Sequence, residues 1–204
     1  MRRRTTRGEQ TRQQIIAASI VCFNRLGYAG TSVETVMDEA RLSRGSVLNQ
    51  FPNRIALMAG VIEASLDSLM METKRRANRI ADPKARLRGI VDVFWESQKL
   101  PAATVVTEVL LAARWDEALA TALRPVGEQI YQQFVIYVLE LLREADVREA
   151  NFEEGLAHAY LIILSLRGIA LELMHNPGAD VVYRALDQIK SMHQAHCDKV
   201  LEGR

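Results

Sequence analysis

The stretch from Thr31 to Arg54, TSVETVMDEARLSRGSVLNQFPNR, restricts the fold more than any other part of the chain. It carries two short helical patterns with a tight break between them. Val33, Val36, Met37 and Ala40 follow the i, i+3, i+4, i+7 spacing of one helix face. Thr31 and Glu34 have the spacing of a capping box, so a first helix is expected from about Val33 to Ala40. Ser43 fits the N-cap of a second helix, expected from about Arg44 to Gln50. Val47 and Phe51 point inward, and Pro52 ends the helix because the residue before a proline avoids helical backbone. The outward side is Arg44, Ser46, Asn49 and Gln50. These are donors and acceptors suited to base edges and phosphates, where an ordinary solvent face would be rich in Glu and Lys. Two helices joined by such a turn describe a helix-turn-helix. On this stretch alone a plain helical hairpin is the competing reading.

Charge agrees with a polyanion-facing end. The chain is +1 overall, but residues 1–60 hold nine Arg and no Lys against four Asp/Glu, leaving the remainder net acidic. A basic N-terminal part on an acidic body suits presentation of one end to DNA. Residues 1–8, MRRRTTRG, lack apolar periodicity and are expected to be a disordered basic arm that lies on phosphates or in a minor groove, or else a solubilising tail. The arginines followed by Ile15–Phe23 resemble a signal peptide only superficially. Glu9 and several glutamines dilute the charged region, and Asn24-Arg25 stands where a small-residue cleavage site belongs. Cys22 and Cys197 lie far apart, which gives no disulfide framework and fits a reducing cytoplasm. No run approaches the roughly 20 apolar residues of a membrane span.

The rest of the chain reads as helix. One helix is expected from Glu9 to Leu26, ended by Gly27 as a left-handed cap. Another starts at Asn53-Arg54 and runs to about Ile80, with Asp82-Pro83 breaking the chain. Helices follow at about 84–98 and 101–113. The segment 118–145 is expected to divide near Pro125. The last two helices are expected at about Phe152–His175 and Ala179–Leu201. The first of these holds Tyr160-Leu-Ile-Ile-Leu-Ser-Leu166, apolar on all sides, which needs cover all round. Val182, Leu186, Ile189, His193 and His196 form a stripe on the final helix. With Leu164 they are the candidate interface of a homodimer, two helices from each copy making a four-helix bundle. His193-x-x-His196-Cys197 has a metal-ligand spacing, but no second ligand cluster is visible, so no metal is expected. No nucleotide-binding, hydrolase or metalloprotease motif occurs, so neither an enzyme nor a cofactor is expected.

Residues 11–58 resemble the N-terminal domain of the TetR family of transcriptional regulators. The likeness runs through Ile15 to Phe23, Gly27-Tyr28, Thr31-Ser32-Val33, Glu39-Ala40, Leu42-Ser43-Arg44-Gly45-Ser46, Phe51-Pro52-Asn53-Arg54 and Leu57. Three places differ, one of them the pair Asn49-Gln50, where the family often has His or Tyr. Arg41 stands where the family has glycine or alanine, and Leu48 stands where it has a phosphate-holding tyrosine. The resemblance implies an all-α fold of about nine helices, with a helix-turn-helix DNA-binding domain over residues 1–54 and a larger effector-binding and dimerisation domain over 55–204. It implies a sequence-specific regulator, most often a repressor released from a palindromic operator by a small molecule. An all-α dimeric sensor or scaffold with weakened operator binding is the alternative. The expected DNA-binding residues are Thr31, Ser32, Arg44, Gly45, Ser46, Leu48, Asn49, Gln50 and Arg54. Arg44 would read a guanine, Asn49 or Gln50 an adenine, and Ser32, Ser46 and Arg54 would hold phosphates. The family's effector cavity makes Phe94, Trp95, Glu108, Trp115, Tyr131 and Phe134 the candidate pocket, though plain core is the ordinary fate of such residues.

Overall fold

The computed structural model describes residues 2–202, with side chains from Arg7 onward. Among these the fold is all-α, with ten α-helices and one 3-10 turn. They are α1 (Arg2–Gly30), α2 (Val33–Ala40), α3 (Arg44–Gln50), α4 (Arg54–Ala77), α5 (Pro83–Arg88), α6 (Ile90–Gln98), α7 (Pro101–Ala113), α8 (Glu117–Glu144), α9 (Phe152–His175) and α10 (Asp180–Glu202). The 3-10 turn is Glu149–Asn151.

Four expectations change. The backbone is already helical from Arg2, so the arm is not an unstructured tail. Arginine is a good helix former, and α1 simply extends backward from Glu9. The side chains of residues 2–6 lie outside the described residues. Gly27 does interrupt α1, but at φ 69 and ψ 178 it lies outside the left-handed helical well, in a region essentially restricted to glycine. The expected helix over 84–98 divides at Gly89, where a Cβ would meet Ile80 and the Ala85 carbonyl at 3.1 and 3.3 Å. Conversely, α8 runs unbroken through Pro125. That residue is exposed, so the carbonyl freed by the missing N–H is left to water.

The helices form two compact units. One runs up to Leu69 and takes in Pro101–Ile130; the other is Met70–Leu100 with Tyr131 onward. The three-helix portion read from the sequence therefore sits inside a larger unit. Its core joins Ile15, Phe23, Val36, Val47, Phe51 and Leu57 with Val105, Val109 and Leu119 from α7 and α8. One long helix and two short ones bury too little apolar surface to be stable alone, and α7 with the start of α8 supplies the remainder. The second unit is built on Phe94, Phe134, Val138, Leu141, Ile162, Leu166, Leu186 and Val200.

The segment Glu149–His175 is long and apolar enough to cross a membrane by length and composition, contrary to the run-length reading of the sequence. In the fold one face of α9, carrying Gly155, Ile162, Leu166 and Ile169, is buried in the second unit. Leu161 and Leu164 on its opposite face are about half exposed, at 50% and 58%.

Candidate nucleic-acid interface

The α2–turn–α3 segment is held from inside by apolar side chains and at its ends by hydrogen bonds. Val36 and Val47 are fully buried. The capping box belongs to Ser32 and Thr35, one residue later than expected. The Ser32 hydroxyl accepts from the Thr35 amide at 3.1 Å, and the Thr35 hydroxyl accepts from the Ser32 amide at 2.9 Å. Thr31 is displaced from that role because it is fully buried, its hydroxyl donating to the Gly27 carbonyl at 2.8 Å. It does not face a ligand. Ser43 caps α3 as expected, accepting from the Ser46 amide at 3.2 Å, with the two hydroxyls 2.9 Å apart. Arg41 closes α2 with φ 53 and ψ 44, a left-handed conformation that costs a residue with a Cβ about 1–2 kcal/mol.

The side chains left on the outer face of α3 are few and polar. Arg44, Gly45 and Asn49 are exposed; Ser46 and Gln50 are half-buried. A Cβ on Gly45 would meet nothing within 4 Å, so packing inside the chain gives no reason for glycine there. Leu48 is half-buried and packs on the first unit's core, so it replaces a polar tip with apolar cover. Arg44 pairs with Glu34 at 2.7 Å, both side chains more than half exposed. The Glu34 carboxyl is held below the ordinary range by its own backbone amide and the Ser32 hydroxyl, with Arg44 adding to this. Such a pair is worth little in water and gives way to a better partner.

Arg54 does not hang free. Its Nε donates to the Thr31 carbonyl at 3.0 Å, its two Nη atoms to the Tyr28 hydroxyl and carbonyl at 3.1 and 2.7 Å, and its guanidinium lies 4.3 Å from the Tyr28 ring centre. That network ties α4 to the end of α1. It was invisible in the sequence because its partners lie more than twenty residues away.

The six candidate pocket residues are divided between the two units, Glu108 and Trp115 in the first and the other four in the second. Phe94 and Phe134 are buried with ring centres 6.3 Å apart. Tyr160, which the sequence reading did not single out as a site residue, sets its edge on Phe134 at 4.9 Å and stacks on Tyr131 at 6.0 Å. Trp95 is half-buried beneath Lys99. Trp115 is 82% exposed and lines no enclosed space. Glu108 belongs to the first unit, where it accepts from the Tyr28 amide at 2.6 Å. A cavity of about 30 Å³ lies in the second unit, room for a water or two. Of the six, only Phe94 lines it, beside Ile90, Val138, Ile162, His158 and His193. The Tyr137 hydroxyl is buried with no hydrogen-bond partner among the described residues, and burial pushes its pKa up to about 12.

The proposed interface stripe on α10 turns partly inward. Leu186 and His193 are only 5% and 3% exposed, inside the second unit, while Val182 and Ile189 pack partly against it. Periodicity identified a buried stripe correctly but not what buries it. On α9 and α10 the exposed apolar positions are Leu164, which is in the expected interface, with Leu161, Met174, Val181, Tyr183 and Met192, which are not. His193 accompanies two other imidazoles. His158 lies 3.1 Å from it and stacks on His196 with ring centres 3.9 Å apart. Among the described residues no group of three His, Cys, Asp or Glu side chains is arranged to hold a metal ion.

Burial lowers the pKa of all three histidines, His158 to about 4, where the neighbouring imidazoles add to the effect. The unfolded chain therefore takes up these protons first, near pH 6.5, and stability rises with pH across that window. The contribution is intact above about pH 6.5 and is lost as pH falls toward 4. Glu72, held to about 2 by Arg75 and Arg76, is lost only at lower pH. Denaturant midpoints measured from pH 7 to 4 should fall for the wild type and fall less for His158→Gln; parallel curves would contradict the assignment.

A short polar helix presented over a buried apolar prop, with its N-terminal turn open to solvent, has the architecture of a helix-turn-helix. Residues 15–61 match the family model of bacterial regulatory proteins, tetR family. The chain is 24% identical over 193 residues to the HTH-type nicotine-responsive transcriptional repressor HdnoR of Paenarthrobacter nicotinovorans, covering 93% of this chain and 95% of that protein. It is 28% identical over 112 residues to the HTH-type transcriptional regulator BetI of Paraburkholderia xenovorans; that match covers 54% of this chain and spans only about half of BetI's length, 56%. In fold it is similar to a transcriptional regulator from Rhodococcus sp. Rha1, with a TM-score of 0.68 at 18% identity, covering 94% of this chain and 96% of that one. The likeness to the tetR family is thus carried by the helix-turn-helix segment, and the likeness in fold extends over most of the chain.

Proposed function

We propose that the chain is a sequence-specific, double-stranded-DNA-binding transcriptional regulator of the cytoplasm, acting as a homodimeric repressor that a small molecule releases from a near-palindromic operator. The observation that carries this reading is the outer face of α3, where Arg44, Gly45 and Asn49 are exposed above buried Val47. In a major groove Arg44 would exchange Glu34 for guanine O6 and N7, and Asn49 or Gln50 would meet an adenine. Ser32 and Ser46 would hold phosphates. A dimer would place two such helices about 34–36 Å apart, one turn of DNA. The exposed apolar residues of α9 and α10 are the surface a second copy would cover.

Effector release is supported by the name of HdnoR, a nicotine-responsive repressor. For this chain the candidate contact residues are Phe94, Phe134, Tyr131 and Tyr160, with the unpartnered Tyr137 hydroxyl as a polar group to meet. An effector releases DNA only to the extent that it binds the non-docking conformer better.

The test is selection of bound fragments from a random double-stranded DNA pool by the purified protein. Enrichment of one near-palindromic site, with affinity falling steeply as salt rises, is the expected result. Arg44→Ala should then relax one base position in each half-site by about 1–3 kcal/mol. Failure to enrich any sequence would overturn the reading.

A further inference from the structure

Glu108 is the single charged residue on α7, whose other members are Pro, Ala, Thr, Val and Leu. A carboxylate in such company is costly unless hydrogen-bonded. Its Oε2 accepts from the backbone amide of Tyr28 at 2.6 Å, across eighty residues of sequence. That amide follows Gly27, the one glycine among the described residues with positive φ. From Tyr28 the network continues through the carbonyl, hydroxyl and ring that Arg54 grips, and through Thr31, whose carbonyl Arg54 also holds. Ser32, the cap of α2, is the next residue.

We infer that Glu108 is a positioning residue for operator binding. Its carboxylate fixes the Tyr28 amide and thereby the turn from which α2 and α3 are presented. This rests on the DNA-binding reading above. The bond is a short one, and its donor is a backbone amide that a side chain of a separate helix reaches. It makes α7 the only helix outside the first four whose side chain is hydrogen-bonded to the kink at Gly27–Tyr28, among the described residues. A displacement of α7 relative to α1 would be felt first at that kink. The function of Glu108 is then one of reach rather than charge.

The experiment uses the full chain and the DNA fragment selected with wild type. Glu108→Gln keeps an acceptor at the same length. Glu108→Asp keeps the charge but withdraws it by one methylene, ~1.5 Å. Gln is expected to bind DNA within about threefold of wild type, whereas Asp and Ala lose about tenfold or more. Amide hydrogen exchange at Tyr28 should accelerate in Asp and Ala and stay protected in Gln. If Ala fails to fold, the Gln–Asp pair still decides. Unchanged Tyr28 exchange in Asp, or Asp binding better than Gln, overturns the inference. Should wild type select no DNA, the reading of function fails, and Tyr28 exchange still decides whether Glu108 holds the turn.

Discussion

Truncating Phe51 to alanine is expected to cost about 3–5 kcal/mol, the range for removing a fully packed aromatic ring. Phe51 is 2% exposed and closes α3, its amide donating to the Val47 carbonyl at 2.9 Å. One side of the ring meets α4 at Gly60, where a Cβ would collide with Cε1. The Arg12 guanidinium lies 4.5 Å from the ring centre. Three helices therefore converge on one side chain, and none has a spare group to fill the space left behind. The cost is comparable to the whole stability of many domains. Urea unfolding followed by helical circular dichroism should show a large fall in midpoint for Phe51→Ala. A shift under about 1 kcal/mol would mean that the contacts around α3 are looser than described.

Gly27→Val should be the next most damaging change, at about 3 kcal/mol, the upper end for a side chain forced into backbone that only glycine adopts comfortably. The residue sits at φ 69 and ψ 178, and a Cβ there would stand 3.6 Å from Glu108 Oε2, so space is not the problem. The backbone is. A branched Cβ is the least compatible with positive φ. The chain would relieve the strain by rotating the peptide that carries the Tyr28 amide, which would also break the Glu108 bond. Melting temperature and DNA affinity should therefore fall together. Loss of neither would show that the kink relaxes freely.

The elements of this molecule were largely written into local chemistry. Ser43, Pro52, Asp82-Pro83 and Pro101 announced their helix boundaries because capping and the missing proline N–H act within a few residues. The errors fell where two local solutions were nearly equal or where the deciding partner was remote. Thr31 and Ser32 both offer a capping hydroxyl, and burial of Thr31 against the Gly27 carbonyl chose between them. The bonds of Arg54 to Tyr28 and Thr31 went unread because those residues are distant in sequence. The bond of Glu108 to Tyr28 went unread for the same reason. On α10 the apolar stripe was visible, but a stripe does not say whether its own chain or a second copy covers it.

The histidine trio has an order that its distances impose. His193 Nε2 faces the Leu87 carbonyl at 2.9 Å, and a carbonyl only accepts, so that nitrogen carries the proton. Nδ1 of the same neutral ring is then a lone pair, and His158 Nε2, 3.1 Å away, must supply the hydrogen between them. The rings run head to tail, one proton each, in a single sense fixed by a backbone oxygen of α5. An added proton on Nδ1 of His193 would set two N–H groups against each other unless His158 gave up its own, so this sense of the pair holds only while His193 is uncharged.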